Sequence, residues 1–275
     1  MEKVLIAKKQ SKTYSLGKNV KKSSFLIAMI IPAIIYYVLF CYVPMYGVLI
    51  AFTYYSPSKG IMGSVFNNWK GFENFAEILG EPDFWNIFWN TLLIGTGKVL
   101  VAFLSAVIVA LLINEIRMRF FKKFVQITVT FPHFLSWVIV ASFFMLLFGD
   151  NGSINRVIES LGFGKVSLMS DSKFFLGLIF GSDVWKEAGW GSIIYIATMA
   201  GISPDLYEAA DIDGATRLQK IWHITLPGIK PTAILLLIMS VGGVLSAGFD
   251  QIFNLTSSLR NALVLDSVDI IDTFI

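Results

Sequence analysis

The sequence predicts an all-α membrane protein, a polytopic bundle of transmembrane helices whose N-terminus lies in the cytoplasm. Hydrophobic residues make up 55% of the 275-residue chain and charged residues only 15%, whereas a soluble domain carries about 25% charged residues. The apolar residues form long runs, and a helix needs about 20 of them to cross a bilayer. Lys and Arg gather in alternate segments between these runs, which sets the orientation of the helices.

We expect five transmembrane helices, one for each long apolar run. The runs cover residues 25–52, 87–113, 124–148, 174–200 and 232–249. Pro32 and Pro44 should bend or shorten the first helix, and Pro231, just before the last run, suits a helix start. The first run is too long for a signal peptide and no small-residue cleavage site follows it, so we interpret it as a retained helix.

The basic residues orient these helices. Residues 1–23 contain seven lysines, and the short segment 114–123 contains four basic residues. Both should therefore be cytoplasmic, because cytoplasmic loops carry an excess of Lys and Arg. Segments 53–86 and 149–173 should then lie outside, and segment 201–231 inside.

No internal repeat and no low-complexity linker divides the chain. We expect a basic cytoplasmic tail over residues 1–23 and one membrane domain over residues 24–275, with a cytoplasmic loop at 201–231. We interpret the tail as an orientation signal rather than a docking site for nucleic acid or acidic lipid.

The cytoplasmic loop contains a polar stretch, YEAADIDGATRLQKIWHITLP, between two apolar runs. Ser203 is a good N-cap and is followed by proline, which predicts a short helix over 204–212. Gly214 tolerates a left-handed backbone and should end that helix. A second helix over 216–224 should end at Pro227. These residues alone leave two interpretations open: a knob that another protein grips, or a surface loop without a partner.

The same stretch resembles the EAA signature of the membrane subunits of binding-protein-dependent ABC importers. That pattern is Glu-Ala-Ala, three residues, Gly, nine residues, Ile, any residue and Leu-Pro. The chain supplies it at Glu208, Ala209, Ala210, Gly214, Ile224, Leu226 and Pro227. The stretches GFENFAEILGEPDFWNIFWNT, WKEAGWGSIIYIATMAGISPDLYEAA and GFDQIFNLT are also similar to this family, most of all to its subgroup for complex or polymeric sugars.

The resemblance implies that this segment is a coupling helix, seated in a cleft of a cytoplasmic ATPase subunit. Its implied contact residues are Tyr207, Glu208, Ala209, Ala210, Asp213, Gly214 and Ala215. Glu208 would pair with basic or polar groups of the ATPase, Ala209 and Ala210 would allow a close fit, and Gly214 would set the turn.

The resemblance also implies the partners and the location. The chain would be half of the translocation path of an oligosaccharide importer in the bacterial inner membrane, among membrane lipid. It would pair with a second, homologous permease subunit, two ATPase subunits that bind ATP and Mg, and an extracellular or periplasmic solute-binding protein. The family has a sixth helix, for which residues 266–275 resemble the lead-in, so that helix would follow Ile275.

No motif for chemistry is present. A P-loop needs Ser or Thr after its Gly-Lys pair, but Lys98 and Lys165 are each followed by valine. The two histidines are far apart in the sequence, which argues against a metal site, and we interpret His133 as a hydrogen-bonded packing residue. We therefore expect no enzyme activity and no cofactor in this chain, and energy from another subunit or from an ion gradient.

Ionisable residues within apolar runs mark paths or ion pairs. The candidate substrate path comprises the charged and indole side chains of two spans: Lys98, Asp183, Trp185, Lys186, Glu187 and Trp190. Asp183, Lys186 and Glu187 have spacings that place them on one helix face, where they line an aqueous path or form a self-satisfied ion pair. The tryptophans either stack on sugar rings or anchor the helix at the membrane interface. Lys98 either pairs with one of the acids or contacts substrate.

Two other functions remain as alternatives. An ion-coupled secondary transporter would use Asp183 and Glu187 as its ion site, although such carriers usually contain paired repeats, and it would leave the EAA-like stretch unexplained. A non-transporting membrane scaffold for another complex is the third possibility.

Overall fold

The computed structural model describes residues 24–257 and 261–274, and within them every regular element is a helix. The predicted all-α class is therefore confirmed. The chain divides into two compact units, residues 1–80 and 81–275, which are described one at a time. The basic tail expected over residues 1–23 lies outside the described residues.

The first unit begins with an uninterrupted helical stretch whose type changes along its length. It comprises α1 (Ser24–Tyr37), a π-helical turn (Val38–Tyr42), α2 (Val43–Met45) and a 3₁₀ stretch (Tyr46–Phe52). Pro32 lies inside α1, and Pro44, which has no N–H to donate, is the second residue after the π-helical turn. A π-helical turn accommodates such a missing bond without ending the helix. Neither proline therefore ends the helical stretch, and only Pro44 lies next to a change of helix type.

The rest of the first unit is two short helices and an aromatic cluster. The helices are α3 (Gly60–Asn67) and α4 (Glu73–Gly80). An isolated antiparallel bridge joins Thr53 to Trp69, and the ring of Phe52 stacks on that of Trp69 with 5.8 Å between centroids.

The second unit contains the remaining helices. They are α5 (Pro82–Asn114), α6 (Arg119–Thr130), α7 (Trp137–Phe148), α8 (Ser153–Ser160), α9 (Ser172–Ala200), α10 (Pro204–Ile212), α11 (Arg217–Lys220), α12 (Leu226–Val241), α13 (Phe249–Leu255), α14 (Ala262–Val268) and α15 (Ile271–Phe274). A π-helical turn (Ile221–Thr225) and 3₁₀ turns (Phe131–Phe134, Leu168–Ser170, Val244–Ser246) complete the regular structure.

Four helical stretches of the described residues are long and apolar enough to cross a membrane. They are Ala28–Phe52, Pro82–Asn114, Trp137–Ser160 and Arg217–Val241. The 29-residue helix α9 is equally long, but Asp183, Lys186 and Glu187 lie near its middle and make it too polar to qualify on composition. The chain is therefore an all-helical polytopic protein.

The third predicted span is not one helix. Instead of continuous helix over residues 124–148, α6 stops at Thr130, a 3₁₀ turn follows, and α7 starts at Trp137. Pro132 removes one backbone donor within this turn. Ser136 then has extended backbone, and its hydroxyl accepts a hydrogen bond from the Ile139 amide at 3.4 Å, which caps α7.

The fifth predicted span is displaced at both ends. Helical structure runs from Arg217 to Val241, so neither Pro227 nor Pro231 marks an end or a start. The π-helical turn just before α12 accommodates the missing donor of Pro227, as happens before Pro44. The helix then stops at Gly242, because two successive glycines disfavour helix. Residues 242–248, here called the helix break, separate α12 from α13.

Two apolar clusters form the core of the second unit. The larger one joins α5, α9 and α13 through Ile94, Phe175, Ile179, Ile252 and Leu255. The smaller one joins α5, α9 and α12 through Ala106, Ala110, Tyr195, Met199 and Ile229. A cavity borders both clusters and shares Ala106, Tyr195 and Ala247 with them. Helix α9 thus carries the packing of the unit as well as its central charges.

Candidate functional site

The polar stretch of the sequence folds as two short helices, here called the polar helix pair (residues 203–220). The hydroxyl of Ser203 accepts a hydrogen bond from the Asp205 amide at 3.3 Å, and α10 begins at Pro204 and ends at Ile212, as predicted. Gly214 follows with φ +74°, a left-handed conformation that favours glycine. The predicted turn at Gly214 is therefore confirmed.

The second helix of the pair has a capped N-terminus, and its C-terminus continues into the next helical segment. The amide of Gln219 donates to the Thr216 hydroxyl at 3.4 Å, and the amide of Thr216 donates to the Gln219 side chain at 2.7 Å, which is a capping box. The predicted stop at Pro227 is wrong, because the helix continues to Val241. Residues Arg217–Val241 form one helical rod of 25 residues, about 37 Å long at 1.5 Å per residue.

Side-chain bonds tie the two short helices together. Lys220 Nζ lies 2.6 Å from the Asp211 carboxylate. The hydroxyl of Tyr207 lies 3.0 Å from that of Thr225, at the base of α12. Tyr207, an implied contact residue, is therefore half-buried and braces α10 against the rod. Helix α10 is therefore in direct side-chain contact with the rod.

Most of the other implied contact residues lie on the surface. Glu208, Ala209, Asp213 and Gly214 are exposed, whereas Ala210 and Ala215 are half-buried. Large apolar side chains stand beside them, and the sequence reasoning had not included them. Ile212 is 88% exposed and Leu206 53% exposed. The sequence contained an indication of their role, because Leu206 and Ile212 are apolar residues of a polar stretch and lie on either side of the two alanines.

The second candidate site is the cavity, an open space of about 460 Å³. Helices α5, α9 and α12 and the helix break contribute its walls. Four of the six residues predicted for a substrate path line it: Lys98, Asp183, Glu187 and Trp190. Lys186 and Trp185 are not among its lining residues, and the ring of Trp185 stacks instead on that of Phe143, 6.1 Å between centroids.

Lys98 of α5 is the centre of one polar network. Its ammonium lies 3.0 Å from the Asp183 carboxylate, 2.6 Å from the side-chain oxygen of Gln251 and 3.4 Å from the Ala247 carbonyl. Gln251 is fully buried, and its amide donates to the Ile179 carbonyl at 2.6 Å and to the Ser182 hydroxyl at 2.9 Å. Lys98 thus pairs with one of the acids of α9, and Gln251 is a member that the sequence reasoning missed.

Glu187 is the centre of a second network. Its carboxylate accepts from Lys186 at 3.0 Å and lies 2.6 Å from His133 Nδ1. Lys186 also donates to the His133 carbonyl at 2.7 Å. The His133 ring stacks on Trp190, with 4.3 Å between centroids. The interpretation of His133 as a hydrogen-bonded packing residue agrees with these contacts.

A tryptophan ring links the two networks. Trp137, the first residue of α7, lies 5.9 Å from Lys98 Nζ and 5.4 Å from Lys186 Nζ, within cation–π range. Within the described part of the chain, no buried side-chain nitrogen or oxygen lacks a hydrogen-bond partner. The central charges of α9 are therefore compensated by neighbouring side chains, which lowers the cost of keeping them away from water.

Comparisons with known proteins give the family. Residues 99–249, which include the polar helix pair and most of the residues that line the cavity, match the family described as "Binding-protein-dependent transport system inner membrane component". The chain is 39% identical to Protein LplB of Bacillus subtilis (strain 168), covering 98% of this chain and 84% of LplB. It is 41% identical to the polygalacturonan/rhamnogalacturonan transport system permease protein YteP of the same organism, covering 98% and 82%.

Solved structures of a transporter agree. A chain of a bacterial ABC transporter involved in the import of the acidic polysaccharide alginate superposes with a TM-score of 0.83 at 35% identity, covering 94% of this chain and 85% of that one. The same kind of transporter, in complex with an alginate pentasaccharide-bound periplasmic protein, gives a TM-score of 0.82. The chain therefore belongs to the inner membrane components of binding-protein-dependent transport systems: it is a multi-pass permease subunit of a bacterial ABC importer, in which partner subunits hydrolyse the ATP.

Proposed function

We propose that this permease imports oligosaccharides or complex sugars, forms half of the translocation path and couples it to a cytoplasmic ATPase through the polar helix pair. The substrate class is supported by relatives: YteP is named for polygalacturonan and rhamnogalacturonan, and the similar solved transporter imports alginate. The chain covers more than four fifths of each of these proteins, so the likeness extends over most of the permease.

The complete importer contains four further proteins in this proposal. A second, homologous permease supplies the other half of the path, two ATPase subunits bind ATP and Mg, and a solute-binding protein delivers the sugar from outside. The alginate transporter that was solved with its periplasmic protein supports the last of these partners.

Helix α9 crosses the membrane as a fifth span in this proposal, with the N-terminus of the chain in the cytoplasm. An isolated charge at the centre of a span costs about 2.5–3.5 kcal/mol on insertion scales. The contacts of Asp183 with Lys98, and of Glu187 with Lys186 and His133, reduce that cost. These contacts support a buried, membrane-spanning position for α9 despite its polarity.

The cavity is the proposed part of the sugar path. Lys98, Asp183 and Glu187 give its wall polar groups, and Trp190 gives it an aromatic face, the combination that sugar rings with apolar C–H faces and polar hydroxyls require. Lys186 does not line the cavity but holds the Glu187 carboxylate, whereas Trp185 packs against α7.

One observation carries the coupling role: the polar helix pair exposes Glu208, Ala209 and large apolar side chains on a body that is directly continuous with the rod Arg217–Val241. Exposed apolar side chains gain free energy when another protein covers them and removes them from water. Closure of the ATPase subunits around ATP would push α10, and the braced rod would carry that displacement into the membrane, as in other rigid-body switches.

The test is ATP-driven uptake in proteoliposomes that contain the whole importer. We expect uptake of labelled acidic oligosaccharides to require ATP and the solute-binding protein. Glu208→Lys and Gly214→Trp should leave insertion intact but separate ATP hydrolysis from uptake. Glu159→Lys and Gly162→Trp are the matched controls in the 149–173 segment: Glu159 is exposed, and Gly162, like Gly214, has a positive φ with open space around it. Normal uptake by both coupling variants, or uptake driven by an ion gradient without ATP, would reject the proposal.

A further inference from the structure

The helix break has a backbone that its own sequence does not favour. Ala247 has φ +41° and Gly248 has φ +88°, both in the left-handed region. A non-glycine residue there costs of order 1–2 kcal/mol. Such a conformation persists only where surrounding contacts hold it, and for the break these contacts come from α5.

Helix α5 holds the break at two positions one turn apart. At Gly95 the two backbones touch, since a Cβ atom there would overlap the Val244 carbonyl. Three residues later, Lys98 Nζ donates to the Ala247 carbonyl at 3.4 Å, and a Cβ at Gly248 would strike the same ammonium group. The break is therefore fitted to α5 by shape and by charge.

Other bonds anchor that ammonium group. Asp183 fixes it from α9, and Gln251 fixes it from the first turns of α13, directly after the break. Gln251 is itself held by two bonds to α9. The Lys98–Asp183–Gln251 network thus joins α5, α9 and α13 around the break.

Stability alone is a poor explanation for this network. Replacing a buried ion pair by apolar residues of similar volume is often neutral or stabilising. Hydrogen bonds and ion pairs, in contrast, favour one arrangement of the helices among several that pack equally well. When the helices shift, these bonds can be replaced by bonds to other partners. The position of the network supports a role in selecting one helix arrangement. The polar helix pair lies at one end of the rod, and the helix break begins at the other end.

We infer that Lys98 and Gln251 are positioning residues of the transport cycle. They hold the helix break, and through it the rod Arg217–Val241, in the conformation described here until the loaded binding protein releases it. This inference rests on the proposed function, since it assigns the network the task of making ATP hydrolysis wait for substrate.

The test uses the complete importer in nanodiscs with Gln251→Leu, which keeps the Lys98–Asp183 pair but removes its link to α13. The variant loses the hydrogen bond to the Lys98 ammonium together with the two bonds to α9. Loss of the bond to the charged group alone is expected to raise ATP hydrolysis in the absence of binding protein about ten-fold, so we expect at least that rise. A spin label at Leu245→Cys, an exposed position of the break, should become more mobile. The label is placed in a Cys41→Ser background, which removes the native cysteine.

Two further variants keep the test decisive. Lys230→Met changes an exposed lysine of the rod and should leave hydrolysis and label mobility unchanged. Gly95→Ala displaces the Val244 carbonyl without touching a charge and should raise both quantities in the same direction as Gln251→Leu. Wild-type values for an assembled Gln251→Leu complex would overturn the inference. Failure of both Gln251→Leu and Gly95→Ala to assemble would also overturn it, because the network would then be purely structural.

The outcome also separates this inference from the proposed function. If the wild-type importer shows no ATP-driven sugar uptake, the proposed function fails. If the wild type transports and Gln251→Leu behaves identically, only the role of the network fails.

Discussion

The polar helix pair and the Lys98 network are both polar, but they are built in opposite ways. The pair is held by bonds between near neighbours, such as Thr216 with Gln219 and Asp211 with Lys220, and its outer face is exposed. The network joins residues 153 positions apart, the half-buried Lys98 and the fully buried Gln251. A part that meets another protein needs its own local stability, whereas a part that holds helices together needs partners from several of them.

This contrast predicts how each region responds to substitution. Changes in the network should affect the folded protein itself, because its members bond three helices together and are largely shielded from water. Changes on the helix pair should affect mainly the association with a partner. The following predictions test the contrast, from the largest expected effect to the smallest.

Asp183→Leu should cause the largest loss. It leaves the half-buried Lys98 ammonium without its carboxylate, and the cost of about 3–5 kcal/mol for breaking a fully buried pair is the upper bound here. The amount of folded protein in the membrane, measured by fluorescence size-exclusion chromatography, should fall sharply. The double variant Lys98→Met/Asp183→Leu should recover most of it. If the single and the double variant lost equal amounts of folded protein, the broken Lys98–Asp183 pair would not be the cause of the loss.

Ile212→Ser should weaken the association with the ATPase while folding stays normal. Burying a side chain of this size contributes about 1.5–3 kcal/mol, so the affinity for the ATPase subunit, measured by titration in nanodiscs, should fall at least about ten-fold. Leu263→Ser, a similarly exposed residue of α14, is the control. An unchanged affinity for Ile212→Ser would remove this residue from the interface.

Gly189→Ala tests the close approach of α9 to the end of α6. A Cβ there would overlap the Val129 carbonyl, whereas the same change at Gly181 meets nothing within 4 Å. We expect Gly189→Ala to destabilise the protein by about 1–3 kcal/mol, as overpacking does, and Gly181→Ala to leave the melting temperature almost unchanged. Similar melting temperatures for both variants would contradict the close contact.

Thr216→Ala should have the smallest effect. Loss of the capping hydroxyl costs about 1 kcal/mol of local helix stability, and it should raise hydrogen exchange of the Gln219 region without altering the rest of the protein. Thr216→Ser retains the hydroxyl and should exchange like the wild type. Faster exchange across α5 or α9 would show that the pair is not locally stabilised.

The same contrast explains what the sequence predicts well. Helix α10 and the turn at Gly214 depend on Ser203, proline and glycine at fixed local positions, and both were predicted correctly. The family resemblance rested on this segment for the same reason. Long apolar runs also predicted the helical membrane class.

Hydropathy alone missed two helix boundaries. The interruption at residues 131–136 and the helix break both lie within apolar runs, although Pro132 and the glycine pair at 242–243 are local signals for them. What depends on distant contacts was not predictable. The role of Gln251 depends on the approach of Lys98 and Ser182 from other helices. The spacing of the charges in α9 predicted a shared face, but the partners on α5 and near His133 required the structure.

The most direct test of the coupling claim is a site-specific crosslink. In a Cys41→Ser background, Ala209→Cys on the polar helix pair should form a crosslink to the ATPase subunit in the assembled importer, and its yield should change with ATP. Gly164→Cys, in the segment 149–173, should form none. No ATPase crosslink from Ala209→Cys in an importer that transports, or an efficient one from Gly164→Cys, would contradict the account.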